Sequence, residues 1–242
     1  MFRLFFWFFC IAIIALVLIG CGHVSSSVKI TSFAYQDGYS WKYRCFFTGE
    51  GVSNEYWMKN IYFSGTTILA NGVTVLNQYE TDEASVAMTM AGLAGGTERE
   101  VSLRRAYPQS LFGLIRFFYG SDYHYYMTHG ETGVYSYGSS AYPTTEARLS
   151  VPFPLESGTK WRSGVGLLMQ AVAEEDVTVP AGIFRTIKVS LLEDDGRDSG
   201  FYYWYADGVG LVKYYAEIEA STTGTIESGK NTFTMELYSK NF

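Results

Sequence analysis

Apolar and polar residues alternate along most of this chain from residue 41 onward, and a period of two marks strands with one dry face. Trp41, Tyr43, Cys45 and Phe47 are separated by Lys42, Arg44 and Phe46, which predicts a strand with the odd positions inward. An aromatic-rich segment over 55–63 reads as a second strand. Residues 66–69 and 73–76 flank Asn71-Gly72, a pair that tolerates positive φ at both positions and so predicts a hairpin. Residues 134–137 and 147–151 read as further strands, the second halted by Pro152-Phe153-Pro154. Val179-Pro180-Ala181-Gly182 reads as a turn, followed by Ile187, Val189 and Leu191 alternating with Thr186, Lys188 and Ser190. After the polar loop 193–200 comes a run of five aromatics, Phe201 to Tyr205, then a Gly-rich turn, a strand with Val212, Tyr214, Ala216 and Ile218 on one face, and a last strand over 232–237.

Two stretches have helical spacing instead. Ala84, Ala87, Met88 and Ala91 repeat at helical intervals within 83–94, and Leu111, Leu114, Ile115 and Phe118 do so within 108–119, which opens on Pro108. A strand competes for the second, because Phe112 and Phe117 lie off that face. The expected fold is therefore mainly β, a single curved antiparallel sheet with one or two short helices.

The beginning of the chain is of another kind. Arg3 precedes a nearly unbroken apolar run from Leu4 to Ile19, the pattern of a signal peptide over 1–20. The run is short for a permanent span, which needs roughly 20 residues. It ends in Leu18-Ile19-Gly20-Cys21, which resembles the lipobox of bacterial lipoproteins. That resemblance implies a diacylglycerol thioether on Cys21, cleavage before it, and N-acylation of the new terminus, as by palmitate. Several acyl chains hold a protein on a membrane where one is marginal. Gly22 rather than Asp follows the cysteine, which by the same resemblance points to the outer membrane of a Gram-negative host. Residues 21–32, with three consecutive serines, read as a lipidated N-terminus and flexible tether, and 33–242 as one β-rich domain.

Composition agrees with a strand-rich fold: 17% aromatic, 20 Tyr, 25 Gly and 5 Pro. A net charge of −6 argues against a nucleic-acid partner, which leaves a basic footprint. Of the three cysteines, Cys10 leaves with the signal and Cys21 carries lipid, so Cys45 reads as a buried inert thiol.

Three segments, PLESGTKW (154–161), VTVPAGIF (177–184) and YWYADGVGLVK (203–213), resemble the pattern PLxxGxxW, VxVPAGxF, YWxAxGVGxVK of uncharacterised bacterial periplasmic proteins and lipoproteins similar to the DUF3108 group. The resemblance covers about a third of the chain. It implies a half-barrel sheet related to the lipoprotein carriers LolA and LolB, and it brings no catalytic residues with it.

The residues themselves offer little for catalysis. His124 and His129 would point to opposite faces of one strand, His23 lies beside the anchor, and no known zinc spacing is present. The acidic groups 174–176 and 193–195 lack the alternating ligands of a calcium loop. No Gly-x-Ser-x-Gly elbow or dinucleotide loop occurs. No enzyme activity, cofactor or metal is expected. Two functions remain open: a noncatalytic carrier that holds an apolar or lipid ligand in the concave face, with Trp41, Tyr43, Trp161 and Trp204 as candidate contacts, and an envelope scaffold with a self-filled core. In the aromatic run, an even turn leaves Trp204 beside Lys213 on the wet face, whereas an odd one with a bulge turns it inward.

Overall fold

The computed structural model describes residues 27–48, 56–82, 124–164, 166–219 and 230–242. Among these residues twelve strands form: β1 (Ser40–Thr48), β2 (Tyr56–Ile68), β3 (Thr74–Asp82), β4 (Tyr125–Gly130), β5 (Gly133–Ser139), β6 (Tyr142–Pro152), β7 (Lys160–Arg162), β8 (Leu168–Val179), β9 (Gly182–Leu192), β10 (Asp198–Ala206), β11 (Gly210–Glu219) and β12 (Lys230–Lys240); segments 55–63 and 66–69 merge into β2, and β4, β7 and β8 are strands that alternation did not announce. No helix occurs among the described residues, and the two segments with helical spacing, 83–94 and 108–119, lie outside them.

Every pairing is antiparallel, in the order β6-β5-β4-β3-β2-β1-β12-β11-β10-β9-β8-β7. Ten of the pairings join strands consecutive in the chain, while β1 with β12 joins the first strand to the last. Curvature carries the two edges round until they nearly meet. Gly164 N–H donates to Leu149 C=O at 2.7 Å, and the Trp161 indole N–H donates to Ser150 C=O at 3.0 Å, so β6 and the end of β7 face one another across a seam. The expected curved sheet is thus present, and its curve runs on past a half-barrel to near closure.

Only glycine fits at position 164. A Cβ there would fall on the Arg148 side chain and 2.9 Å from Arg148 Cα. Gly164→Ala is therefore expected to force the seam apart at a cost of about 1–3 kcal/mol, the usual range for overpacking. Gly130→Ala, which meets nothing within 4 Å, is the control and should stay within about 0.5 kcal/mol of the parent in the same thermal melts.

The interior is apolar and strongly aromatic. Trp41, Tyr43, Phe63, Tyr203, Tyr214, Met235 and Leu237 all belong to one buried cluster. Cys45 sits in it, fully buried. One patch of the inner wall is polar: Lys59 and Glu80 form an ion pair at 3.4 Å with side chains only 1% and 2% exposed. Gln78 Nε2 donates to the other Glu80 oxygen at 3.2 Å.

One end of the barrel is capped twice. The segment 27–39 lies across it: Ile30, fully buried, exchanges two backbone bonds of 2.9 Å with Leu155. Phe33 stacks on Tyr205 at 5.3 Å and meets Phe153 edge-on at 5.0 Å. The Asp207 carboxylate, in the β10–β11 turn, accepts the backbone N–H of Thr31 at 2.7 Å and of Ser32 at 3.1 Å. Ile30 to Ser32, the last residues of the expected tether, are therefore docked on the barrel. The second cap is the tip of the β8–β9 hairpin. Ile187 pairs with Tyr205 near the end of β10, yet β9 starts back at Gly182, so the hairpin outruns its neighbour. Its tip reaches β12, where Ala181 N–H donates to Leu237 C=O at 3.1 Å.

Candidate functional site

The four candidate contact residues separate into three places. Trp41 and Tyr43 lie together on the inner face of β1, beneath the cap. Trp41 is 2% exposed, meets Tyr35 edge-on at 5.4 Å and Phe63 at 5.7 Å, and packs on the C-terminal Phe242 at 5.1 Å. Its indole N–H donates to Val209 C=O at 3.0 Å. The Tyr43 hydroxyl donates to Leu211 C=O at 2.8 Å. Both polar ends thus fasten the inner wall of β1 to the β10–β11 hairpin, as a buried indole or phenol requires.

Trp161 also faces inward, but at the seam, where its indole N–H holds β6. It is pinned there by the pairing of Trp161 with Met169 on β8.

Trp204 stands on the outer face. Tyr203 pairs with Tyr214 and Trp204 with Lys213, and the register then slips between Trp204 and Tyr205. The hairpin does carry a bulge, but it falls on β11 after the Trp204–Lys213 pair and so does not turn Trp204 inward; Tyr203 and Tyr205 share the inner face by ordinary alternation, their rings parallel at 6.2 Å. Outside, Trp204 is shielded by its neighbours: Lys188 lies 5.2 Å and Lys213 5.7 Å from its ring, and its indole N–H donates to Glu175. Cation–π attraction of this kind is strengthened by partial desolvation.

This tryptophan sits within a row that alternation could not reveal. Lys188, Trp204, Lys213, Glu236 and Arg44 are direct register partners across β9, β10, β11, β12 and β1. Glu236 is the hinge of the row, paired with Lys213 at 3.3 Å and Arg44 at 3.2 Å. Beside it, Lys188 lies 4.0 Å over the Tyr202 ring. The Asp198 carboxylate accepts the Tyr202 hydroxyl at 2.7 Å and, with partial burial, pushes the phenol up to about 12. Four charged side chains on neighbouring strands place this wall of the barrel in water rather than in hydrocarbon.

On the far side, a second outward stripe of rings crosses β2 to β4: Tyr62 stacks on Tyr79 at 5.3 Å, Tyr79 meets His124 at 4.9 Å, and His124 meets Tyr126 at 5.1 Å. His124 is thus a member of an aromatic stack, while His129 is exposed at the rim of a cleft. That cleft, of about 330 Å³, lies between the capping residues Tyr35 to Asp37 and strands β2 to β4, with Leu76 and Met127 in its wall. Among the described residues no group of three or more His, Cys, Asp or Glu side chains is placed to hold a metal ion.

The fold and these contacts define a class: a nearly closed, twelve-stranded antiparallel barrel, capped at one end and filled beneath the cap by aromatic side chains. No family model and no curated protein matches the chain, so the likeness to the DUF3108 group remains a resemblance. Three solved structures align with it. One is a protein of Bacteroides fragilis, provisionally described as exported and with a YmcC-like fold, at 12% identity and TM-score 0.36 over 88% of this chain and 100% of that one. Another, from Parabacteroides distasonis and provisionally described as a lipoprotein, aligns at 14% identity and TM-score 0.36 over 86% and 97%. A DUF1329 family protein from Desulfovibrio piger aligns at 7% identity and TM-score 0.23 over 90% and 87%. At scores this low the functional reading rests on the geometry of the chain itself.

Proposed function

We propose that this chain is a noncatalytic, lipid-anchored protein of the bacterial envelope, attached through Cys21, whose barrel is a self-filled platform that meets another envelope protein. The anchor rests on the Leu18-Ile19-Gly20-Cys21 motif, with the outer membrane as its destination in a Gram-negative host. The platform rests chiefly on one observation: the inward candidates for a ligand bond to their own chain, Trp41 to Val209, Tyr43 to Leu211 and Trp161 to Ser150. An indole or phenol already used in this way is part of the wall. A wall fastened by its own hydrogen bonds and a polar outer row suit recognition of a partner surface, where aromatic and arginine side chains tend to dominate.

The carrier reading has one feature in its favour. The cleft of about 330 Å³ beside Tyr35 is at the lower end of the size of small-molecule sites, roughly 300–1,000 Å³. An apolar ligand there would lie against Leu76 and Met127, and would reach Trp41 only by displacing Tyr35.

Mass spectrometry of the full-length protein, solubilised mildly from host membranes, tests both parts. The expected result is a mature terminus at Cys21 carrying diacylglycerol and an N-acyl chain, with no second, noncovalent lipid at stoichiometric level. An unmodified thiol at Cys21 would remove the anchor, and a stoichiometric noncovalent lipid would replace the platform with the carrier.

A further inference from the structure

The chain leaves the barrel at the capped end. Ile30 is bridged to Leu155, the Asp207 carboxylate holds Thr31 and Ser32, and Gly208 N–H donates to Ser32 C=O at 3.0 Å. From Cys21 to Ile30 an extended chain spans at most roughly 30 Å, at about 3.3–3.6 Å per residue. A single strand such as β12 (Lys230–Lys240), at a similar rise, is roughly 35 Å long. While segment 30–33 stays docked, the anchor meets the capped end with slack chain, whereas the opposite end calls for a nearly fully extended tether.

We infer that the capped end is the surface this protein lays against the lipid bilayer, with the tip of the β8–β9 hairpin as the contact point. The inference rests on the lipid anchor proposed above. Within the tip, Val177 and Val179 turn inward to the core, which leaves Thr178, Pro180 and Ile183 outward. Ile183 is 73% exposed, among the most exposed large apolar side chains of the described residues. The nearby Arg185 is matched by Glu174 and Asp176, each at 3.4 Å, so the tip carries no excess positive charge. Its contact is therefore an apolar one with the headgroup boundary, not an attraction to anionic lipid. Lying on its side would press the row of Lys188, Lys213, Glu236 and Arg44 against the bilayer, which charged side chains oppose.

The test uses the full-length lipidated protein in phosphatidylcholine vesicles. Cys45 is buried and Cys21 is acylated, so Ile183→Cys and, at the other end of the barrel, Asp194→Cys each provide one accessible thiol for a fluorophore. Acyl-brominated lipid is expected to quench the label at 183 at least about twofold more than the label at 194, as burial of about 5–10 Å into the interface requires. The same ratio should hold when anionic lipid is added. Co-sedimentation of the parent protein reports the anchor separately. Protein left in the supernatant overturns the anchor and this orientation together. Protein that sediments with equal quenching at both sites, or more at 194, overturns the orientation alone.

Discussion

Lys59→Met is expected to destabilise the barrel by about 3–5 kcal/mol, the cost of stranding one member of a buried ion pair. Lys59 is fully buried on the inner wall of β2, where its neighbours along the same face are Ile61 and Phe63. Across the sheet, Glu80 is the register partner of Ile61, and Gln78 of Phe63. Without the ammonium at 3.4 Å, the Glu80 carboxylate keeps the amide of Gln78 but loses its close counter-charge in a medium of low polarity. A domain of this size should lose roughly 6–20 °C in thermal midpoint, at about 2–4 °C per kcal/mol. Lys59→Met combined with Glu80→Leu should recover most of the loss, because an apolar pair removes both desolvation costs at once. A single variant within about 1 kcal/mol of the parent, or a double variant no better than the single, would show that the pair does not hold this part of the wall.

Alkali should unfold the protein in one steep step that begins above pH 10. Burial raises the Tyr43 and Tyr203 phenols well above their ordinary range, helped by charge on neighbouring tyrosines. Tyr35 and Tyr205 are raised in the same direction, again chiefly by burial, although each keeps part of its surface. The folded state therefore holds protons that the unfolded state releases from about pH 10 upward. Stability is whole below that pH and falls as pH rises beyond it, by about 1.4 kcal/mol per pH unit for each such tyrosine. Tyr43 and Tyr203 alone account for about 3 kcal/mol per unit, against a total stability of about 5–15 kcal/mol for a typical domain. Tyrosinate absorbance and far-ultraviolet circular dichroism, followed together, should change in one shared transition between roughly pH 11 and 13. If all tyrosines ionise near pH 10 with the β signal intact, the interior is open to solvent and the self-filled barrel is wrong.

Both predictions concern residues whose placement was unequally legible. The tyrosines were visible as inward positions of alternating strands: Tyr43 shares parity with Trp41 and Cys45, and Tyr214 with Val212. Lys59 was not. It lies in the aromatic segment EYWMKNIYF, where a charge looks like a solvated position, and the sequence offers no sign that Glu80, on the next strand, will face it. The hairpin at Asn71-Gly72 was legible for a local reason, since Gly72 adopts φ 82° and its N–H closes the turn on Leu69 C=O at 2.9 Å. The turn after Val179 was legible too, but its reach to Leu237 was not. The candidate contacts Trp41 and Tyr43 come together as alternation suggested, whereas Trp204 belongs to a charged outer row that appears only when five strands are set in register.

Alternation, turn residues and the Cys21 motif are local, and the sequence by itself determined them: a mainly β chain, the turns at Asn71-Gly72 and after Val179, and an apolar stripe on strands such as β1, β9 and β11. Tertiary structure decided the rest. Near closure depends on twist and stagger accumulated over twelve strands, which no single segment encodes. The side taken by Trp204 follows from where one bulge falls. The docking of Ile30 and Phe33, and the pairing of Trp41 on β1 with Lys240 on β12, join residues far apart in the chain. These contacts exist only once the barrel has formed the end that they cap.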